Sequence, residues 1–212
     1  MLPHSVSRNL SVEVEALCAL ARECGRRGWA PATAGNFSVR DAETGRIFIS
    51  RSGLDKGLMT PEDLLELDDC GLVVSGRGRP SAELGLHVVV YRERPEAMAV
   101  AHVHSVWNTL LSSRCAGAGQ VEMEGYELVK ALAGVESHTH CERIPVLANT
   151  QSYGELALEL EEALRRNASA HGVLLAGHGL YTWGKSVAEA RRHLEALEFL
   201  FEVQMRRMMG GF

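Results

Sequence analysis

Ala97-Met98-Ala99-Val100-Ala101-His102-Val103-His104-Ser105 decides how this chain is read. Residues 97–103 form an apolar run of strand length. Side chains two apart on a strand share a face, separated by roughly 6–7 Å along it. His102 and His104 therefore look out together near a strand end, where two imidazoles can tilt onto one ion. A zinc-type cation takes nitrogen ligands at about 2.0–2.1 Å and keeps an open position when three protein groups hold it. Alternating histidines also occur as ordinary half-exposed positions, so the remaining ligands have to be found elsewhere in the chain.

Working outward, Gly172-Val173-Leu174-Leu175-Ala176 reads as a buried strand, and Gly177-His178-Gly179 as a sharp turn into Leu180-Tyr181-Thr182-Trp183. The flanking glycines let the backbone fold tightly and bring His178 close to its neighbours, making it the best third ligand. His4, His87, His171 and His193 have no such setting. A second H-x-H, His138-Thr139-His140, lies in a polar stretch before a proline-containing segment and reads as surface or subunit contact.

Toward the N-terminus, residues 11–27 carry apolar positions at helical spacing. Residues 37–40 and 46–50 read as one hairpin, and 64–68 with 72–75 as a second, turning at Asp69-Cys70-Gly71. Thr60-Pro61-Glu62-Asp63 has the composition of a helix start. Pro80-Ser81-Ala82-Glu83 opens a helix to about Arg94. Serine caps and early glutamates stabilise helices anyway; a helix start also offers free N–H groups to an anion. Gly35-Asn36, Ser52-Gly53 and Lys56 are candidates to converge there as a phosphate cradle.

Toward the C-terminus, Ser105 caps a helix through Leu111. Residues 122–133 read as a mobile glutamate-rich segment leading into a helix, with Glu127 either on a solvated acidic face or at a site. Residues 144–148 form a short strand, expected at an edge because of Pro145. Ser152-Tyr153-Gly154-Glu155 and Ser186-Val187-Ala188-Glu189 have capping-box spacing ahead of two helices. Hairpins mixed with single strands between helices imply a mixed sheet with helices on its faces.

The 212 residues are enough for one sizeable core, with 46% apolar and 23% charged residues and a net charge of −5. No basic stripe exists to neutralise nucleic-acid phosphates. Five cysteines without CxxC spacing argue against a disulfide framework and for a cytoplasmic setting. Met1-Leu2-Pro3-His4 is not an apolar signal, and no run approaches the ~20 apolar residues of a membrane span.

The ordered set Thr33-Ala34-Gly35-Asn36, Ser50-Arg51-Ser52-Gly53, Pro80-Ser81-Ala82-Glu83, His102-Val103-His104 and His178-Gly179 resembles the class II aldolase family. Ser52-Gly53-Leu54-Asp55-Lys56-Gly57, Gly125-Tyr126-Glu127 and Tyr181-Thr182-Trp183-Gly184 bring it nearest to the family's dehydratases. The resemblance implies a single domain over 1–212, a three-layer α/β/α sandwich with a central mixed, largely antiparallel sheet. It implies a homo-oligomer, usually a tetramer, with sites near subunit interfaces. It implies one zinc ion per subunit on His102, His104 and His178, and a phosphate site of Asn36, Ser52, Gly53, Lys56 and Ser81. The aldolases have a second serine where this chain has Ala82; Lys56 offers a substitute. Glu127 corresponds to the dehydratase acid/base. Glu83 is open between ligand, substrate contact and proton carrier. The implied activity is dehydration of 5-methylthioribulose 1-phosphate, a methionine-salvage step; a sugar-phosphate aldolase or epimerase is the alternative, and a non-catalytic adducin-like module a third.

Overall fold

The computed structural model describes residues 8–68 and 70–210; Met1–His4 and Asp69 of the second turn lie outside them. Among the described residues, nine strands form one sheet: β1 (Asn36–Arg40), β2 (Ile47–Ser50), β3 (Leu64–Leu67), β4 (Val73–Ser75), β5 (Ala99–Val103), β6 (Gln120–Met123), β7 (Glu142–Leu147), β8 (Gly172–Leu175) and β9 (Gly179–Gly184). Their order across the sheet is β4-β3-β2-β1-β5-β9-β8-β7-β6. Among these described strands, only the β7–β8 pair is parallel.

Among the described residues, five α-helices cover the sheet: α1 (Arg8–Arg26), α2 (Leu84–Glu93), α3 (Val106–Cys115), α4 (Tyr153–Arg166) and α5 (Val187–Gly210). Alternation along the strands sorts the core onto two faces. Phe37, Val39, Ala99, Ala101, Val103 and Leu180 point toward α1, α3 and α5 with Leu17, Leu194 and Phe201. Ile49, Val100, Val173, Tyr181 and Trp183 point toward α2 and α4 with Leu86, Val90, Leu156 and Leu160. The result is the expected three layers.

Both hairpins form, with Ser38 opposite Ile49 and Glu66 opposite Ser75. Several local expectations need correction. The Pro145 strand is interior: β7 pairs with β6 on one side and β8 on the other, and β6 is the edge. The pairing to β8 starts only at Val146, so the missing proline donor interrupts no bond in that register. Glu122 lies on β6, paired opposite Arg143, rather than in a mobile segment, and Glu127–Ala131 is a short 3-10 helix. The Thr60 signal likewise yields only a 3-10 turn at Pro61–Asp63. Ser152 stands at the start of α4 without a side-chain capping bond.

Candidate active site

Three adjacent strands set the floor of the site. Asn36 on β1 lies opposite His102 on β5, which lies opposite Tyr181 on β9. His102 is fully buried, and its ring stacks on Tyr181 with centroids 3.9 Å apart. Its Nδ1–H donates to the Leu180 carbonyl oxygen at 3.0 Å, which leaves the Nε2 lone pair facing the site. His104 follows the end of β5, its backbone N–H donating to the Trp29 carbonyl oxygen, and its Nε2 lies 2.8 Å from His102 Nε2. His178 stands on the β8–β9 turn, where Gly177 takes the left-handed conformation at φ 63°. Its Nδ1–H donates to Asn149 Oδ1 at 3.1 Å, so Nε2 again faces inward.

Glu83 stands at the start of α2 and closes the group. Its Oε1 is 3.0 Å from His178 Nε2, and its Oε2 is 3.6 Å from His102 Nε2. One ligand atom from each of Glu83, His102, His104 and His178 lies within 4.8 Å of the others. Burial holds His102 well below the usual imidazole range, and burial with the neighbouring His178 pushes His104 down to about 4. Burial would raise the Glu83 carboxyl, but the His178 hydrogen bond, His102 and the Asn36 amide outweigh it and keep the group ionised. Neutral imidazoles at His102 and His104 beside an anionic carboxylate are protonation states that suit a divalent metal. Two of the imidazoles are fixed in the correct tautomer by outer carbonyls. The donor set therefore fits a zinc-type cation.

A recess of about 120 Å³ adjoins this cluster, lined by Gly35, Asn36, Arg51, Ser52, Gly53, Lys56, Ser81, Glu83 and His104. Gly35 is required there: its φ is +75°, and an added Cβ would stand 2.6 Å from the His102 carbonyl oxygen. Lys56 is buried, with Nζ donating to the carbonyl oxygens of Thr33 at 2.9 Å and Leu54 at 3.0 Å. An ammonium has three donors, so one remains for an anion. Burial pushes the Lys56 pKa down to about 8. Ser81 Oγ accepts from the Glu83 backbone N–H and from Asn36 Nδ2, leaving its own hydrogen to donate outward. The Ser52 backbone N–H donates to the Arg79 carbonyl oxygen, so a contact from Ser52 to an anion comes from its hydroxyl.

Nine of the ten candidate residues thus meet in one place. Glu127 does not: it is largely exposed and ion-paired with Lys130, which holds its carboxyl below the usual range. Asn36 lines the recess, but its side chain is engaged with Glu83, Ser81 and His87. The second H-x-H stays outside the cluster; His140 Nε2 bonds the buried Glu142, which also accepts from His171. Sequence reading missed Tyr181, Asn149, Arg51 and His87. An aromatic in a buried strand and an asparagine in a loop carry no local signal of such a role.

The chain matches the Class II Aldolase and Adducin N-terminal domain over residues 15–205. It is 50% identical over 198 residues to a protein named methylthioribulose-1-phosphate dehydratase from Methylococcus capsulatus, covering 92% of this chain and 95% of that one. A protein of the same name from Sorangium cellulosum is 44% identical over 196 residues, covering 92% and 91%. Among solved structures, an L-fuculose 1-phosphate aldolase superposes with a TM-score of 0.80 at 24% identity over 99% of this chain and 91% of that one, a likeness of fold alone. The L-fuculose-1-phosphate aldolase from Thermus thermophilus gives 0.75 at 29% identity, covering 95% and 98%.

Proposed function

Because the chain belongs to the class II aldolase and adducin N-terminal domain family, we propose that it dehydrates 5-methylthioribulose 1-phosphate to 5-methylthio-2,3-dioxopentyl phosphate, a step of methionine salvage. The observation that carries this reading is the meeting of His102, His104, His178 and an ionised Glu83 beside an anion recess. It occurs in a chain half identical to a named dehydratase.

His102, His104 and His178 would hold one zinc ion per subunit, which when bound would supply Lewis-acid stabilisation of developing negative charge. Ser52, Gly53, Ser81 and the free donor of Lys56 hold the phosphate, which fixes the position of C2 and C3. Asn36 borders the same group. Glu127 removes the C3 proton and returns it to the C4 hydroxyl as that leaves as water; the resulting enol becomes the second ketone. Glu83 stays ionised and orients the cluster as ligand or substrate contact.

Glu127 faces solvent on the single chain, so the reading requires an assembly in which it reaches a site. We take this to be a homotetramer of single-domain chains spanning residues 1–212. Exposed Leu72, Val73 and Val74 at the β4 edge supply apolar surface for contact between copies. We place the activity in the cytoplasm; all five cysteines are free, which suits a reducing compartment. No helix among the described residues is long and apolar enough to cross a membrane.

The test is incubation of zinc-loaded protein with 5-methylthioribulose 1-phosphate and identification of the product by mass. The reading expects loss of one water. Loss of a carbon fragment would make the protein an aldolase, and an isomer of unchanged mass an epimerase.

A further inference from the structure

We propose that His87 is a positioning residue for the metal-facing carboxylate: through Asn36 it fixes how Glu83 is presented to the three histidines. This rests on reading the histidine cluster as a metal site. His87 lies on α2, one turn beyond Glu83, and is fully buried on the sheet face that also carries Asn36 and Ser38.

The hydrogen-bond directions follow from what each group can do. Asn36 Oδ1 can only accept, so His87 Nε2, which contacts it, carries the hydrogen. Burial keeps the imidazole neutral, its pKa pushed down to about 4. Its Nδ1 is therefore an acceptor, and the Ser38 hydroxyl donates to it at 2.7 Å. Ser38 Oγ in turn accepts from the Tyr91 hydroxyl at 2.8 Å. At the other end, Asn36 Nδ2 donates to Glu83 Oε2 at 2.7 Å. Tyr91, Ser38, His87 and Asn36 thus form one series in which every hydrogen points toward the Glu83 carboxylate. Such chains polarise one another in the same direction.

The series makes the orientation of the Asn36 amide non-arbitrary. An amide presents either its NH2 or its oxygen to a neighbour, and its two ends are similar in shape. With the His87 N–H against Oδ1, only the orientation that gives NH2 to Glu83 is satisfied. Without that N–H, Oδ1 would be buried without a donor, and the amide would lose the contact that locks its NH2 in place at the Glu83 carboxylate. His87 is 0% exposed, so its contribution is geometric rather than proton exchange with solvent.

The experiment uses full-length protein loaded with Co2+. It reads the visible ligand-field spectrum and the Co2+ affinity by chelator competition. Loss of a partner in the outer shell of a metal site costs about 10–100-fold in affinity. His87→Leu is expected to lose that much and to shift the ligand-field bands; His87→Gln, which keeps an N–H donor, restores most of the affinity. In an Asn36→Ala background, His87→Leu adds no further loss, because the two act in series. A folded His87→Leu protein with the wild-type spectrum and affinity overturns the proposal, as do losses that multiply. Should His87→Leu not fold, ring 15N correlations of the wild-type protein decide instead. The Nε2–H tautomer is expected, and an Nδ1–H tautomer or an imidazolium at neutral pH overturns the proposal. None of these readouts is turnover, so a wild-type protein that failed to dehydrate the substrate would be recorded separately.

Discussion

Gly179 presses on His102: a Cβ added to the glycine would stand 3.0 Å from Cε1 of that ring and 3.1 Å from Cδ2 of His104, and would collide with the Val103 carbonyl oxygen. The first residue of β9 is therefore glycine because two imidazoles and a strand occupy the space of a side chain. Gly179→Ala should cost about 1–3 kcal/mol through overpacking. That corresponds to a melting temperature lower by roughly 2–12 °C at this size. Metal content should fall below one ion per chain, since the two histidines move apart. Thermal melts beside elemental analysis check both; a full metal complement with an unchanged melt would contradict the packing argument.

If Lys56 holds the substrate phosphate as proposed, that binding should depend on pH. Its pKa is pushed down to about 8 by burial, so its charge is present below that value and lost above it. KM for the phosphorylated substrate should be flat below pH 8 and rise above it, with kcat changing much less. Lys56→Met should raise KM by about 10–100-fold at pH 7, since a hydrogen bond to a charged group is worth roughly 1.5–3 kcal/mol. The sign for stability is opposite. A lysine whose folded pKa lies below its unfolded value penalises folding while charged, and this penalty fades as pH rises from about 8 toward 10.5. A KM that stays level from about pH 7 to 9.5 would remove Lys56 from phosphate binding.

Glu127→Gln separates chemistry from folding. The side chain is 73% exposed and pairs with Lys130 on the same short 3-10 helix. Exposed pairs contribute little, so the melting temperature should hardly move. Turnover should fall by about 10²–10⁴-fold, the usual worth of a positioned acid/base, with metal retained. Near-normal turnover would exclude Glu127 from the proton transfer.

Glu198 of α5 is a destabilising carboxyl in the core. Burial raises its pKa to about 7, only partly offset by hydrogen bonds from Ser105 and Asn108, and its Oε2 has no partner among the described residues. A carboxyl whose folded pKa exceeds its unfolded value costs stability as pH rises from about 4.5 to 7, with no further loss above. Glu198→Gln should therefore gain on the wild-type protein across that window. Melts of both proteins at about pH 5 and pH 8 check it; a difference independent of pH would show that Glu198 is ionised in the folded state throughout.

The sheet is legible in the sequence because alternation and turn chemistry act locally. The 37–40/46–50 hairpin, the strand ending in His102-Val103-His104 and the glycine turn around His178 all form where those signals put them. The histidines themselves are legible because glycines and strand ends mark where side chains leave the core. What is not legible depends on partners distant in sequence. Pro145 reads as an edge residue until the parallel pairing to β8 is seen to begin at Val146. His87 reads as an ordinary helix residue, since its role depends on Asn36 and Ser38, which lie on another element. The resemblance assigns Asn36 to phosphate; in the structure its amide is engaged by His87, Ser81 and Glu83. Glu127 stands apart from the cluster, exposed and paired with Lys130, which local pattern does not encode.

Anomalous scattering from crystals of zinc-loaded protein tests the core of this account most directly. The account predicts one peak per chain at about 2.0–2.1 Å from the Nε2 atoms of His102, His104 and His178, beside Glu83 and open toward Lys56. Crystals of catalytically active protein with no peak at those nitrogens, or with the metal held elsewhere, would contradict it.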